Sequence, residues 1–422
     1  MTDHQNIAVQ ATRAEAPKPG AQRAVIFGVN YAPEPSGNAP YTTGLAEYLA
    51  AAGWSVDVVT GYPHYPAWQR QPAPRNSRLG GVRIDRHRHF VPRSTNAVQR
   101  GVFELTSLLA ALPAALRKRD VSVVVGVVPN LGDAALARIA AWRNRAPFAL
   151  WIQDLMGPGA RQSGTSGGDV VARYVERAEL ALARRAAVVM VAADGFRSYL
   201  EAGSVDSERI VRAHNWSTLP PPRASRTAAR AAFGIADDAT VVLHSGNMGH
   251  KQGLQVVLDA AELGPDLEFV LQGNGSERAE LESEAAHRSL ANVRFLPSLD
   301  AQQLADLLGA ADVLLVAQRA TVANMSLPSK LASYFATGRP VVAAVDASGE
   351  TATEVSRYAG GTVVDAENPE ALVSAVRSAA AMDPIGRAST VGPAAGDPET
   401  TLRDLATVLH AVAADSDGAK TQ

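Results

Sequence analysis

The chain has 422 residues, 46% hydrophobic and 19% charged, enough for two or three domains, each with its own core. Its formal net charge of -2 argues against a general nucleic-acid or polyanion binder, and the absence of cysteine excludes a disulfide scaffold, a thiolate metal site and a cysteine nucleophile. Residues 1–22 have no apolar stretch and read as a disordered leader, not a signal peptide; with no run of ~18 uncharged apolar residues anywhere, a cytoplasmic protein is expected.

Arg23–Asn30 (RAVIFGVN) is a short apolar run opening into a Pro/Gly/Asn loop, the pattern of a buried parallel strand. Thr42–Ala52 is predicted helical, with Gly53 as its stop, and WSVDVVT at 54–60 as the next strand. The unit repeats through a strand at 121–128, a helix near 132–142, a strand at 148–154, a helix near 169–185 and a strand at 186–193. Three consecutive prolines in NWSTLPPPR (215–223) break the alternation, and a linker is predicted over 216–235. Strands then follow at 240–246, 267–275, 292–297, 312–317, 339–345 and 360–365, with helices at 252–263, 276–290, 300–310 and 328–337. The predicted fold is α/β: two doubly wound Rossmann-like domains, 23–215 and 236–397, facing across a cleft. A helix at 398–415 packs back towards the first domain, and 416–422 is a tail.

Four loops carry candidate chemistry. In Tyr31–Asn38 (YAPEPSGN), Gly37 lets backbone approach a ligand and Asn38 opens a helix whose amides favour an anion; a plain strand–helix turn is the alternative. His244–Gly253 (HSGNMGHKQG) offers exposed amides, Asn247 and Lys251 as a diphosphate cradle, or else a glycine-rich turn with a solvated lysine. Its spacing is neither that of a Walker loop nor of the dinucleotide fingerprint. Gly273, Asn274 and Gly275 end a strand, where paired glycines mark close approach of a ligand or of neighbouring backbone, and Ser276 can cap the next helix. In SLPSKL (326–331), Ser326 and Ser329 can cap a helix that sets Lys330 at the positive end of its dipole. Asp154, closing FALWIQD, can hydrogen-bond a substrate or cap the next loop.

In this order the loops resemble the retaining nucleotide-sugar glycosyltransferases of family 4, which have the GT-B fold, and most of all the branch of exopolysaccharide, O-antigen and colanic-acid assembly. The carriers are SGNMGHKQGLQVVLDAA, FVLQGNGSERAELE, NVRFLPSLDAQQLADLLGAADVLLV, SLPSKLASYFATGRPVVAA and YAPEPSGNAPYTTGLAEYLAAAGWSVDVVT with YPHYPAW (62–68) after it. The resemblance implies transfer of a sugar, such as an N-acetylhexosamine, from a nucleoside-diphosphate donor, UDP-linked, to a lipid-linked or other glycan or small-molecule acceptor. Anomeric configuration is retained, with no metal and no cofactor. By that carry-over Gly37 approaches the diphosphate, Asn247 and Lys251 hold it, Gly273 and Gly275 line the nucleotide pocket, backbone around Pro297 and Ser298 holds the base, and Lys330 touches phosphate or sugar oxygens. The family's pair of glutamates falls on Met325 and Ser333, neither acidic, and Glu350 is the substitute acid, with a surface carboxylate as the alternative. Asp154, Lys330 and Glu350 are the expected catalytic residues.

Between 70 and 100 stand Arg70, Arg75, Arg78, Arg83, Arg86, Arg88, Arg93 and Arg100, with Asp85 as the only acid; an apolar run, 102–116, then closes on Arg117, Lys118 and Arg119. The expectation is peripheral contact of 70–119 with the inner face of a membrane beside a polyprenyl-diphosphate-linked acceptor, Pro113 kinking or ending the helix; a solvated arginine-rich loop is the alternative. Two other functions fit the architecture. A sugar-nucleotide epimerase would draw on His64, His214, His244 and His250, and a non-catalytic nucleotide-sugar-binding partner would explain the missing acidic pair.

Overall fold

Two parallel sheets take up the apolar runs. In the computed structural model the described residues are 22–35, 37–65, 68–92, 97–117, 119–157, 168–322, 328–358, 360–382 and 398–420. The expected leader, except Gln22, lies outside them, as do Ser326, Met325, Arg93 and Lys118. The chain divides into two units, Met1–Ala213 with Glu399–Gln422, and His214–Pro398.

The first unit holds β1 (Arg23–Phe27), β2 (Ser55–Gly61), β3 (Asn76–Leu79), β4 (Val82–His87), β5 (Val123–Val128), β6 (Phe148–Ile152), β7 (Val188–Val191) and β8 (Ile210–Arg212). They lie in the order β3-β4-β2-β1-β5-β6-β7-β8, all parallel except β3 on β4. Its helices are α1 (Ala39–Ala51), α2 (Ala97–Leu116), α3 (Leu131–Asn144), α4 (Gly168–Ala183) and α5 (Gly195–Ala202). Central strands buried on both faces read as unbroken apolar runs, hence their legibility. The arginine-rich segment is not a loop, because β3 and β4 run through it as an edge hairpin. Arg86 is buried there and donates to the Ala32 carbonyl at 2.8 Å and to Ser77 Oγ at 2.8 Å. Helix α2 also continues past Pro113 to Leu116.

The second unit holds β9 (Thr240–Asn247), β10 (Leu267–Asn274), β11 (Val293–Leu296), β12 (Val313–Ala317), β13 (Val341–Ala344) and β14 (Gly361–Val364) in the order β11-β10-β9-β12-β13-β14, all parallel. Its helices are α6 (Arg226–Ala232), α7 (Gln255–Leu263), α8 (Arg278–His287), α9 (Ala301–Ala310), α10 (Lys330–Ala336), α11 (Glu350–Arg357) and α12 (Pro369–Ala380). Alternate strand residues feed two cores: Val242, Phe269 and Leu315 join one, Val241, Val270 and Leu314 the other. The segment read as a linker, 216–235, contains α6. Arg230, fully buried, donates to Asp312 Oδ2 at 2.7 Å and to the Ala239 carbonyl at 2.9 Å, so this stretch is built into the second unit. A last helix, α13 (Pro398–Lys420), extends through most of the expected tail; within the first unit Trp54 Nε1 donates to His410 Nε2 at 2.9 Å.

Candidate functional site

Where the connections from two neighbouring parallel strands leave on opposite faces of a sheet, a crevice opens outside their carboxyl ends. That point lies between β9 and β12 in the second sheet and between β1 and β5 in the first.

In the second unit β9 and β10 end side by side, with Gly246 opposite Gly273 and Asn247 opposite Asn274. Gly246 and Gly273 have φ of 121° and 130°. A Cβ on Gly273 would collide with the Gly246 carbonyl oxygen, and one on Gly275 with that of Met248. Neighbouring backbone therefore accounts for these two glycines, one of the two alternatives their spacing left open. Lys330, partly buried, opens α10, and its Nζ lies 3.1 Å from His244 Nε2; a Cβ on Gly246 would stand 3.5 Å from that Nζ. His244 is fully buried within β9, three residues before its end. Burial, and then the Lys330 charge, hold its imidazole well below the usual range, so the neutral ring accepts the lysine's hydrogen bond. Burial also pulls the Lys330 ammonium down to about 7.

Three side chains fix the surrounding backbone. Tyr334 Oη accepts the Ser245 amide at 2.8 Å. Gln272 accepts from Ser245 Oγ at 2.9 Å and donates to the Pro297 carbonyl at 3.0 Å. Arg278 donates to the Gly273 carbonyl and, at 2.8 Å, to that of Leu296. The sequence analysis gave none of these roles; the one signal was a glutamine inside the apolar strand LEFVLQ.

The other expected residues fall around this point or apart from it. Asn247 donates to Gln252 Oε1 at 3.2 Å, closing the loop on itself. Lys251 is exposed in a short turn of 3₁₀-helix, His250–Gln252, and its carbonyl accepts the Arg319 amide at 3.0 Å. Asn274, Pro297, Ser298 and Ser329 are exposed. Ser329 precedes α10 without a side-chain cap, so that expected cap is not formed, while Lys330 opens the helix as expected, a helix of only 7 residues. Ser276 is likewise not the cap of α8, whose N-cap position is Glu277. Glu350 is buried in the first turn of α11, which removes the surface-carboxylate alternative.

In the first unit Gly37, at φ 68°, is exposed, and a Cβ on it would meet the Tyr65 ring at 3.2 Å. Asn38 precedes α1 with no side-chain cap; its carbonyl accepts the Thr42 amide at 3.0 Å. Asp154 follows β6; burial, and then its charge, push the Tyr41 phenol up to about 12. Other residues build this end of the sheet. Buried Glu34 accepts the amides of His64 (2.7 Å) and Tyr65 (2.8 Å) and the Asn30 side chain (2.7 Å), tying YPHYPAW to the glycine loop. His64 sits beside His89, ring centroids 4.9 Å apart, and burial holds His89 down to about 4. Asp133, in the first turn of α3, is buried; burial and then Glu104 push its carboxyl up to about 8, while burial takes Glu104 to about 6. The amides of His64 and Tyr65 that Glu34 accepts, and the Glu104 that raises Asp133, are distant in the chain, so local sequence does not reveal these roles. Among the described residues, no group of three or more His, Cys, Asp or Glu is placed to hold a metal ion.

Comparison with known proteins identifies both halves. The glycosyl transferase 4-like domain model matches residues 36–216, and the glycosyl transferases group 1 model matches 225–388. The chain is 33% identical over 377 residues to WcaI of Escherichia coli K12, named for glycosyl transfer in colanic acid biosynthesis, covering 84% of this chain and 91% of that protein. A D-inositol 3-phosphate glycosyltransferase of Geodermatophilus obscurus is 34% identical over 167 residues, 36% of each chain. Among solved structures, sucrose-phosphate synthase of Thermosynechococcus elongatus superposes with a TM-score of 0.72 at 19% identity, over 93% of this chain and 100% of that one. HepE of Anabaena, solved with UDP and glucose, superposes at 0.65 and 15%, over 92% and 100%.

Proposed function

This chain belongs to the family 4 glycosyltransferases of GT-B fold and exopolysaccharide type, and from that membership we propose that it moves a hexosyl group, such as an N-acetylhexosamine, from a UDP-linked donor to a lipid-linked or other glycan acceptor with retention of anomeric configuration. Glycosyl transfer in polysaccharide biosynthesis is the shared activity; the donor, the acceptor and the stereochemistry are our reading. HepE, of the same fold, has been solved with UDP-glucose, which supports a uridine donor.

The observation that carries the mechanism is Lys330, held 3.1 Å from His244 over the bare backbone at Gly246. In the reaction the anomeric carbon–oxygen bond to the diphosphate breaks and the acceptor oxygen bonds to the same face of that carbon. The acceptor's hydroxyl proton passes to a diphosphate oxygen. Negative charge grows on the leaving group, and a preorganised, partly desolvated cation stabilises it more in the transition state than in the ground state. Glycine at 246 leaves the end of β9 bare beside Lys330, so phosphate or ribose can come close without a side chain in the way. Asp154 is our candidate for an acceptor contact and Glu350 for a sugar or ribose contact; Gly37, Asn38, Asn247, Lys251, Asn274, Pro297, Ser298, Ser326 and Ser329 remain candidate donor contacts. A lipid-linked acceptor brings with it peripheral work at a membrane, the role proposed for 70–119.

The test is donor consumption. UDP-N-acetylhexosamine and UDP-hexose are incubated with and without a polyprenyl-diphosphate-linked acceptor, and UDP release and product configuration are followed by NMR. UDP released only with acceptor, and an unchanged anomeric configuration, support the reading. Isomerised donor without UDP release would establish an epimerase, and no consumption with saturable binding a non-catalytic partner.

A further inference from the structure

Helix α2 is apolar on two opposite faces, and one of them is covered by the fold. Phe103, Ala111, Ala114 and Ala115 are buried. On the other side Val98 is 76% exposed, Val102 40%, Leu105 57%, Leu109 56% and Leu116 48%. At about 100° per residue these five positions fall within an arc of roughly 60°, an unbroken stripe along about five helical turns. Phe90, also exposed, joins it, since its amide donates to Thr106 Oγ1 at 3.0 Å. At the far end the C-terminus of α3 comes alongside: Arg143 Nε reaches the Leu116 carbonyl at 3.4 Å, and the Arg119 amide donates to Asn144 Oδ1 at 2.8 Å. Trp142, 68% exposed, stands at that end.

The exposed charges around the stripe are mainly basic, although Arg117 also pairs with Asp85 at 3.7 Å and Asp120 is exposed beside Arg119. Arg117, Arg143 and Arg145 are exposed at the Trp142 end, Arg100 is partly exposed near the other, and Arg88 is exposed close to Phe90. The only acid of α2, Glu104, is turned away, accepting the Gly132 amide at 3.2 Å. Among the described residues no helix is long and apolar enough to cross a membrane. A stripe of this kind lies in an interface instead of spanning it. Self-pairing of α2 in either direction would bring basic ends together, which disfavours a second copy as the occupant.

We propose that the outer face of α2, with Phe90 and the Trp142 end of α3, docks on an anionic lipid bilayer, its apolar side chains entering the headgroup boundary and its arginines meeting lipid phosphates. The docking element is thus not the β3–β4 hairpin, where Arg86 is buried and Arg83 pairs with Asp57 at 3.1 Å. This deepens the reading of a lipid-linked acceptor and rests on it for its purpose; the binding itself is measured without donor or acceptor.

The experiment is co-sedimentation of the full chain with phosphatidylglycerol–phosphatidylcholine vesicles and with phosphatidylcholine vesicles, at low and high salt, together with tryptophan emission. Binding to the anionic vesicles, weakened by salt, with a blue shift that Trp142→Phe reduces, is expected. The double variant Leu105→Asp, Leu109→Asp removes side chains already in solvent and keeps the wild-type melting temperature, but binds at least about tenfold more weakly. No binding to anionic vesicles at low salt overturns the proposal. So does undiminished binding by the double variant, or a dimer in solution that this variant dissolves. Turnover of a water-soluble acceptor is followed in parallel: its failure beside intact vesicle binding counts against the reaction, not against the docking face.

Discussion

At the switch point of the second sheet the strand ends are nearly bare, with glycines at 246 and 273 and one ammonium against a neutral imidazole. At the switch point of the first sheet they are crowded: Asp133 is buried with Glu104 as its electrostatic neighbour, and Glu34 and His64 sit under the adjoining loops. Burial works on both, with opposite sign, lowering Lys330 towards neutrality and raising Asp133. The second site keeps a cation at the edge of ionisation, where an arriving anion fixes its charge. The first keeps carboxyl groups whose protons an arriving base would have to take. Similar folds thus carry a lowered lysine at one switch point and a raised carboxyl group at the other.

Lys330→Ala should give the largest effect, at least about a hundredfold loss in kcat/KM, about 2.7 kcal/mol, through lost charge stabilisation. Because the folded protein depresses this lysine, the unfolded chain binds more protons between about 7 and the lysine's ordinary 10.5, so its cost to stability is greatest below about 7 and fades as pH rises. The variant should therefore melt no lower than wild type at pH 6, and a lower melting temperature together with unchanged turnover would break the contrast. Gly273→Ala forces a Cβ into the Gly246 carbonyl at φ 130° and should cost about 3 kcal/mol or more in chemical denaturation, against about 1 kcal/mol for Gly338→Ala, where φ is 67° and nothing lies within 4 Å. Glu34→Ala leaves the His64 and Tyr65 amides without their acceptor and should cost about 2 kcal/mol, measured the same way, with Glu34→Gln recovering part of it. For Asp133 the folded carboxyl is raised, so its stabilisation is complete at low pH and is lost as pH rises towards about 8. Asp133→Asn should therefore gain on wild type by about 2–3 kcal/mol between pH 6 and pH 9, and parallel pH curves for the two proteins would remove the buried carboxyl from the comparison. The smallest effect is expected for exposed Lys251, a solvent-screened donor contact: Lys251→Ala should weaken UDP binding about two- to threefold by calorimetry, and no change would remove it from the donor contacts.

The parts of the fold that could be read were those with a local cause. Runs such as VVVGVV and FALWI need two covered faces, so they announce themselves as central strands. Asp300 with Gln303 marks the start of the helix expected at 300–310 by hydrogen bonds only three residues long. The edge hairpin β3–β4 gave no such signal, since alternating arginines look the same on a strand edge as in a loop. Helix α6 was hidden behind three prolines, and its anchor, Arg230 to Asp312, spans 82 residues.

By itself the sequence determined the alternation of strands and helices, the two-unit plan, the family and the loops worth examining, because each follows from periodicity or from short motifs in continuous chain. Tertiary structure alone decided that Gly273 and Gly275 yield to neighbouring backbone, that Lys330 meets His244 across 86 residues, and that the Asp133 carboxyl in the first turn of α3 is buried. Steric crowding and desolvation depend on what the fold brings together from far apart, and no local pattern encodes that.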